Sequence, residues 1–225
     1  MSPAKADPTK PLGFLRRETG LFVFDMDSTL IDGEGVDEFA RERGCYDEIA
    51  AITEAAMRGE MDFDESLRRR VAKLKGLTLA DIDRVYDRVP LMTGAAELIG
   101  ELRLMGHRIG IISGGFDLLA ERYARDVGGA DALVMNQLEM VDGVCTGHVV
   151  LPIVNAAEKA NALLLVANEL GIPLTHTVAI GDGANDIPML SRAGFGIAYR
   201  GKPKLREVAK ACIDEKDLRR VLDLM

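Results

Sequence analysis

Three cysteines in 225 residues, with no Cys-x-x-Cys pair and no Cys/His spacing suited to a metal, exclude a disulfide framework and a structural zinc site. Cys45, Cys145 and Cys212 read as reduced thiols. Basic residues are also short: 28 Lys and Arg stand against 36 Asp and Glu, a net charge of −8, which argues against nucleic acid because phosphate backbones are held by clustered cations. No apolar run reaches the roughly 20 residues of a membrane-spanning helix. The start, MSPAKADPTKPLGFLRRETG, has prolines and charges where a secretory signal needs an apolar stretch. The expectation is a cytoplasmic protein with no nucleic-acid and no membrane partner. His107, His148 and His176 share no motif, so no catalytic role falls to them, and internal repeats are absent.

A hydrophobic share of 48% beside 28% charged residues describes a globular chain. The apolar runs LFVF (21–24), RIGII (108–112), HTVAI (176–180) and GFGIAY (194–199) alternate with segments of helical spacing. That alternation predicts an α/β fold, a doubly wound and mostly parallel sheet. From about residue 35 to 90 the pattern is helical alone, as VDEFARERG, IAAITEAAMRG and FDESLRRRVAKLKG, each closing on a glycine suited to a helix C-cap. We therefore expect a helical cap over 34–90 inserted into a catalytic core of 21–33 and 91–225, after a flexible tail over 1–20. LEMVDGVCTGHVV (138–150) reads as a small hairpin turning at Asp142-Gly143.

Ligands of open α/β sheets bind at the carboxyl ends of the strands, so the residues following each run matter most. They are Asp25-Met26-Asp27-Ser28-Thr29, Ser113-Gly114-Gly115 and Asp182-Gly183-Ala184-Asn185-Asp186. Singly, each has an ordinary use as a cap, turn or loop. Together at one sheet edge they suggest a site. Asp25 and Asp182 suit a hard cation such as magnesium, and Ser113 with the glycine amides ahead of a helix suits an anion. Lys159 stands at the edge of the stripe Ala156, Ala160, Leu163, Ala167; lysines there commonly cover apolar surface, but beside an anion site one neutralises charge. In SLRRRVAKLK, Leu67, Val71 and Leu74 mark the apolar face, Arg70 lies at its edge, and Arg68 and Arg69 turn away. Glu34 opens the first cap helix, where an acid also serves the helix dipole.

The ordered set DxDST, SGG, lysine and GDGAND resembles the haloacid dehalogenase-like phosphohydrolases. Within them, EAAMRGEMDFDESLRRRVAKLKG, ISGGFD and VAIGDGANDIPML resemble the phosphoserine phosphatases, from about residue 21 to the end. The resemblance implies Mg2+-dependent hydrolysis of O-phosphoserine to serine and phosphate through an aspartyl phosphate, a step of serine biosynthesis, with one Mg2+ per chain. It implies Asp25 as nucleophile and Asp27 as general acid/base. Metal ligands would be Asp25, Asp182 and the main-chain carbonyl of Asp27, with Asp186 supporting them and Asn185 beside metal and substrate. Ser113, Gly114 and Lys159 would hold the phosphoryl group, Glu34 the substrate ammonium and Arg70 its carboxylate, with Met57 and Phe63 as walls. The chain departs from the resemblance at Leu151-Pro152, where a glycine and an acid are expected, and at Asn155, where an aspartate is usual. A phosphotransferase passing the group to homoserine keeps the same chemistry. A receiver-like signalling domain is opposed by the inserted lobe and by the acid at Asp27. The sequence sets no oligomeric state.

Overall fold

The run Leu21–Phe24, buried along its whole length, is the central strand β1 of the computed structural model, which describes residues 9–225. Beside it, both parallel, lie β2 (Arg108–Phe116) and β5 (Thr177–Gly181). With β3 (Ala132–Val141), β4 (Val144–Val150), β6 (Phe195–Tyr199) and β7 (Ala211–Ile213) they form one seven-stranded sheet in the order β4-β3-β2-β1-β5-β6-β7, antiparallel only between β3 and β4. Continuously apolar strands follow from burial on both faces. Alternate side chains of β1 enter different cores: Phe22 and Phe24 pack toward the helices that carry Leu98, Leu102, Leu119 and Tyr123, Leu21 and Val23 toward those that carry Leu163, Val166 and Leu190.

Between β1 and β2 the chain forms α1 (Gly35–Glu42), α2 (Tyr46–Met57), α3 (Phe63–Lys73) and α4 (Leu79–Arg88). It leaves and re-enters the core through Ile31 and Leu91, which pair antiparallel, with Met92 N–H donating to Leu30 O at 2.8 Å. Then come α5 (Ala95–Leu104), α6 (Asp117–Asp126), α7 (Ala156–Glu169), α8 (Ile187–Arg192) and α9 (Pro203–Arg206). The side chain of Asp62 caps α3, and a Thr78/Asp81 capping box starts α4.

The hairpin expected over 138–150 is continuous with the main sheet. β3 begins at Ala132; its first half pairs in parallel with β2 and its second half with β4, around a turn in which Asp142 and Gly143 both take positive φ. The early half escapes a hydrophobic reading because Asn136 interrupts it. That side chain is fully buried and satisfied: it donates to Gly114 O (2.8 Å) and Val154 O (3.3 Å) and accepts from Val154 N–H (2.8 Å). The hairpin also carries one edge of the inserted helices, through Gly76 N–H to Cys145 O, Cys145 N–H to Leu77 O and Leu79 N–H to Gly143 O.

The expected flexible tail is corrected over 9–20; residues 1–8 lie outside the described residues. Gly13–Arg16 forms a turn of 3-10 helix, Leu12 and Leu15 are each 1% exposed, and Leu12 N–H donates to Leu224 O at 2.8 Å. Two leucines three apart give a single helical turn an apolar side, which the neighbouring prolines and charges mask in the sequence. Leu15→Ala should therefore cost about 2–5 kcal/mol in denaturant unfolding, as for other buried leucines. A change under about 0.5 kcal/mol would show that the segment is not anchored.

Candidate active site

Asp25 closes β1, its N–H donating to Ile180 O at 2.9 Å. The next five residues wind tightly, with Ile31 N–H bonded to Met26 O (3.0 Å) and Ser28 N–H to Gly33 O (3.0 Å), and Ser28 held at φ 56, unusual for a residue with a Cβ. This winding turns both Asp25 and Asp27 into a cavity of ≈ 130 Å³ at the carboxyl ends of β1, β2 and β5. Asp27 Oδ1 accepts the N–H of Gly35 (2.8 Å) at the start of α1, an amide without a partner in its own helix. A Cβ at Gly115 would sit 2.8 Å from Asp27 Oδ2 and 2.6 Å from Met26 Cε, so glycine is required for the carboxylate to occupy this place.

Behind the cavity lies Lys159, 1% exposed, in the first turn of α7. Its Nζ is 2.8 Å from Asp25 Oδ1 and hydrogen-bonds Asp186 Oδ1. Asp186 Oδ2 accepts from the N–H groups of Asp182 (3.2 Å) and Gly183 (3.1 Å), so both its oxygens are committed. Asp182 is held from the other side: its carbonyl accepts Lys202 N–H at 2.8 Å and its carboxylate lies 3.4 Å from Lys202 Nζ. Ser113 Oγ, also buried, accepts from Gly115 N–H at 3.1 Å.

Asp25, Asp182 and Asp186 each bring one carboxylate oxygen within 4.8 Å of the others. An anionic set of hard oxygens fits magnesium and not a soft metal. Both oxygens of Asp186 are engaged by Lys159 and the main chain, whereas Asp25 and Asp182 each meet a lysine through one oxygen and have the other available to a metal.

Burial pushes the Asp27 carboxyl well above its ordinary range, reinforced by the charges of Glu34 and Asp25 and opposed by the Gly35 N–H and Lys159. Burial likewise raises Glu34, against the Ser28 hydroxyl, which donates to Glu34 Oε1 at 2.7 Å. Asp182 is raised by burial against the pull of Lys202. For Lys159, burial acts downward, and the carboxylates of Asp186 and Asp25 overcome it and hold the ammonium firmly charged.

The inserted helices complete the wall. Arg70 lines the cavity while Arg68 and Arg69 are exposed, Arg69 pairing with Glu65. The Arg70 guanidinium stands 6.0 Å from the Phe63 ring centroid, and Phe63 Cζ would be 3.4 Å from a Cβ on Gly114. Glu34, Gly114 and Asn185 face the same space. Met57 does not: it is 82% exposed at the end of α2 and lines no part of the cavity, because it falls off the stripe that buries Ile49 and Ala55. Three contributors were missed in the sequence. Lys202 follows β6 and could have been found by inspecting that strand end too; Ser28 stands in the cluster after β1, but its bond to Glu34 carries no sequence signal, and neither do the bonds of Asn136 to Gly114 and Val154.

A doubly wound sheet that gathers carboxylates around a buried ammonium, under helices inserted after its first strand, defines a class of capped α/β proteins. The model for haloacid dehalogenase-like hydrolases matches residues 22–191, and the chain belongs to that family. It is 50% identical over 213 residues to phosphoserine phosphatase SerB2 of Mycobacterium tuberculosis, covering 95% of this chain and 52% of that protein. To the phosphoserine phosphatase of Idiomarina loihiensis it is 45% identical, covering 92% and 94%. The chain thus spans about half the length of the first relative and nearly all of the second. A solved structure described as a phospho-aspartyl intermediate analogue of phosphoserine phosphatase superposes with a TM-score of 0.85 at 40% identity, covering 93% of this chain and 100% of that one.

If Asp27 takes part in a reaction, Gly115→Ala should lower kcat about 100-fold, the scale of a roughly 1 Å misplacement of a reacting group, because the Met26 methyl can move aside but Asp27 cannot without losing Gly35. Wild-type kcat in a folded variant would contradict the close packing. Magnesium should also act on stability. Where folded carboxyls such as Asp27, Glu34 and Asp182 have raised pKa values they bind more protons in the folded state than in the unfolded, so their contribution to the stability of the metal-free protein falls as pH rises from about 4 through the raised values. Magnesium should then raise Tm strongly at about pH 7.5 and weakly at about pH 5, where protons compete for the same oxygens. A magnesium shift that is absent or independent of pH would count against these ligands.

Proposed function

We propose that the protein is a cytoplasmic, magnesium-dependent phosphoserine phosphatase. The observation that carries this is the pair Asp25 and Asp27, two residues apart at one strand end yet differently held, one against Lys159 and the other raised by burial and bonded to Gly35. The Asp25 carboxylate attacks phosphorus, forming an aspartyl phosphate as the bond to the seryl oxygen breaks, and Asp27 gives its proton to that oxygen. Asp27 then takes a proton from water, which attacks the same phosphorus and returns Asp25 with release of inorganic phosphate. Two neighbouring carboxyls can work as base-like nucleophile and acid when their environments separate their proton affinities.

Asp25, Asp182 and the main-chain carbonyl of Asp27 would hold a magnesium ion, which would supply Lewis-acid polarisation of the phosphoryl group. Lys159, Ser113 and Gly114 stabilise the transferring group. Asp186 positions Lys159 and the Asp182 loop, and Asn185 borders the substrate. Glu34 meets the substrate ammonium, and the planar fork of Arg70 its carboxylate, with Phe63 as wall. Residues 34–90 act as a cap on a core of 21–33 and 91–225, excluding water during transfer.

Phosphate release from O-phosphoserine, O-phosphothreonine and an aryl phosphate, with and without homoserine, tests the reading. O-Phosphoserine should be preferred, and homoserine should not divert the phosphoryl group; transfer to it would instead establish a phosphotransferase. Arg70→Ala should reduce kcat/KM for phosphoserine by about 2 kcal/mol, roughly thirtyfold, and barely affect the aryl ester, which has no carboxylate to pair. Arg68→Ala should do little. Equal losses on both substrates would sink the assignment of Arg70.

A further inference from the structure

Asn155 joins the core to the inserted helices next to Phe63, a residue that lines the cavity. Its Oδ1 accepts the N–H groups of Ala157 (3.0 Å) and Glu158 (3.1 Å), capping α7 one turn before Lys159. Its Nδ2 donates to Asp64 Oδ1 (3.1 Å) in the first turn of α3. The core side of this bond is firmly placed, because the preceding residue, Val154, is tied to the buried Asn136 that also holds Gly114.

The far end of α3 is anchored otherwise. Just beyond it, Gly76 and Leu77 hydrogen-bond Cys145 of the β3–β4 hairpin. Among the described residues, the bond from Asn155 to Asp64 is the one hydrogen bond joining residues 46–73 to the core, and Asp64 has no cationic partner. The residues that α3 brings to the cavity, Phe63, Leu67 and Arg70, sit next to Asp64 and three and six positions on.

We propose that the Asn155–Asp64 hydrogen bond is a clasp that holds the N-terminal end of α3 closed over the cavity, and that the amide at position 155 is what makes the clasp possible. A carboxylate there caps a helix as well as an amide does. It has no proton to donate, however, and it would face Asp64 with like charge. The departure from aspartate noted at Asn155 thereby becomes a feature of closure, with Asn155 a positioning residue acting through α3. The inference rests on the phosphatase reading only for its kinetic consequence.

The test uses the full chain as wild type, Asn155→Asp, Asn155→Ser, Asp64→Asn and the swap Asn155→Asp/Asp64→Asn. Amide hydrogen exchange is compared between residues 46–73 and α5 of the core, and KM is measured for O-phosphoserine. In Asn155→Asp and in Asn155→Ser, which keeps the cap but cannot reach Asp64, exchange over 46–73 should quicken about tenfold with α5 unchanged, and KM should rise about tenfold with kcat nearly constant, the scale of one hydrogen bond to a charged group. Asp64→Asn should stay near wild type, because its side-chain oxygen still accepts. The swap, which reverses donor and acceptor, should restore both readouts to within about twofold. Wild-type exchange in the single variants, equal acceleration in α5, or a swap as open as Asn155→Asp would each overturn the clasp. If exchange follows the pattern while none of the five proteins hydrolyses phosphoserine, the clasp stands and the substrate reading fails.

Discussion

The buried ammonium of Lys159 is the interaction on which the rest of the site depends. It is set between Asp25 and Asp186, all three nearly inaccessible to water. Moving such charges out of water costs several kcal/mol each before their attraction offsets it, so an apolar trio of similar volume would stabilise the fold at least as well. What the charged trio provides is placement. Through Asp186 the ammonium fixes the main chain at Asp182 and Gly183, and through Asp25 it reaches the end of the central strand. One side chain from α7 thereby registers two strand ends against each other, as the proposed binding of a hard cation and a phosphoryl group would require.

Around this centre the structure keeps two acids apart by unequal means. Asp25 is met by an ammonium, whereas Asp27 is met by a helix-start amide and by the carboxyls of Glu34 and Asp25. The turn over 26–30 creates the difference, and it tolerates a left-handed Ser28 to do so. The same serine bonds Glu34, so the strained backbone sets both Asp27 inside the cavity and Glu34 at the start of the inserted helices.

The inserted helices are held unevenly. Where the chain leaves and re-enters the core, Ile31 and Leu91 form an isolated antiparallel bridge, and α4 rests on α6 through Tyr86 and Asp126 and through Arg122 and Asp83. The hairpin carries the end of α3. The α2–α3 side is tied more lightly, and it is the side that delivers Phe63 and Arg70. A segment with few bonds to its support opens at lower free energy than the body, which suits a wall that must admit a ligand and then exclude water.

The sequence by itself determined the parallel α/β core, the helical insertion after the first strand, and the strand-end clusters that meet in the cavity, because hydrophobic period and turn residues are local signals. It also singled out Arg70 over Arg68 and Arg69, since helical spacing alone decides which of three neighbours faces inward. Met57 was misplaced because a resemblance carries no direction, while the helix stripe through Ile49 and Ala55 leaves it outside. Only the tertiary structure decided that Leu12 and Leu15 anchor the chain start, that Asn136 knits Gly114 to Val154, and that Asn155 reaches Asp64 across 91 positions of sequence. Each of these depends on a partner far away in the chain, and a hydrogen bond or packing contact between distant residues leaves no period and no motif in the residues that make it.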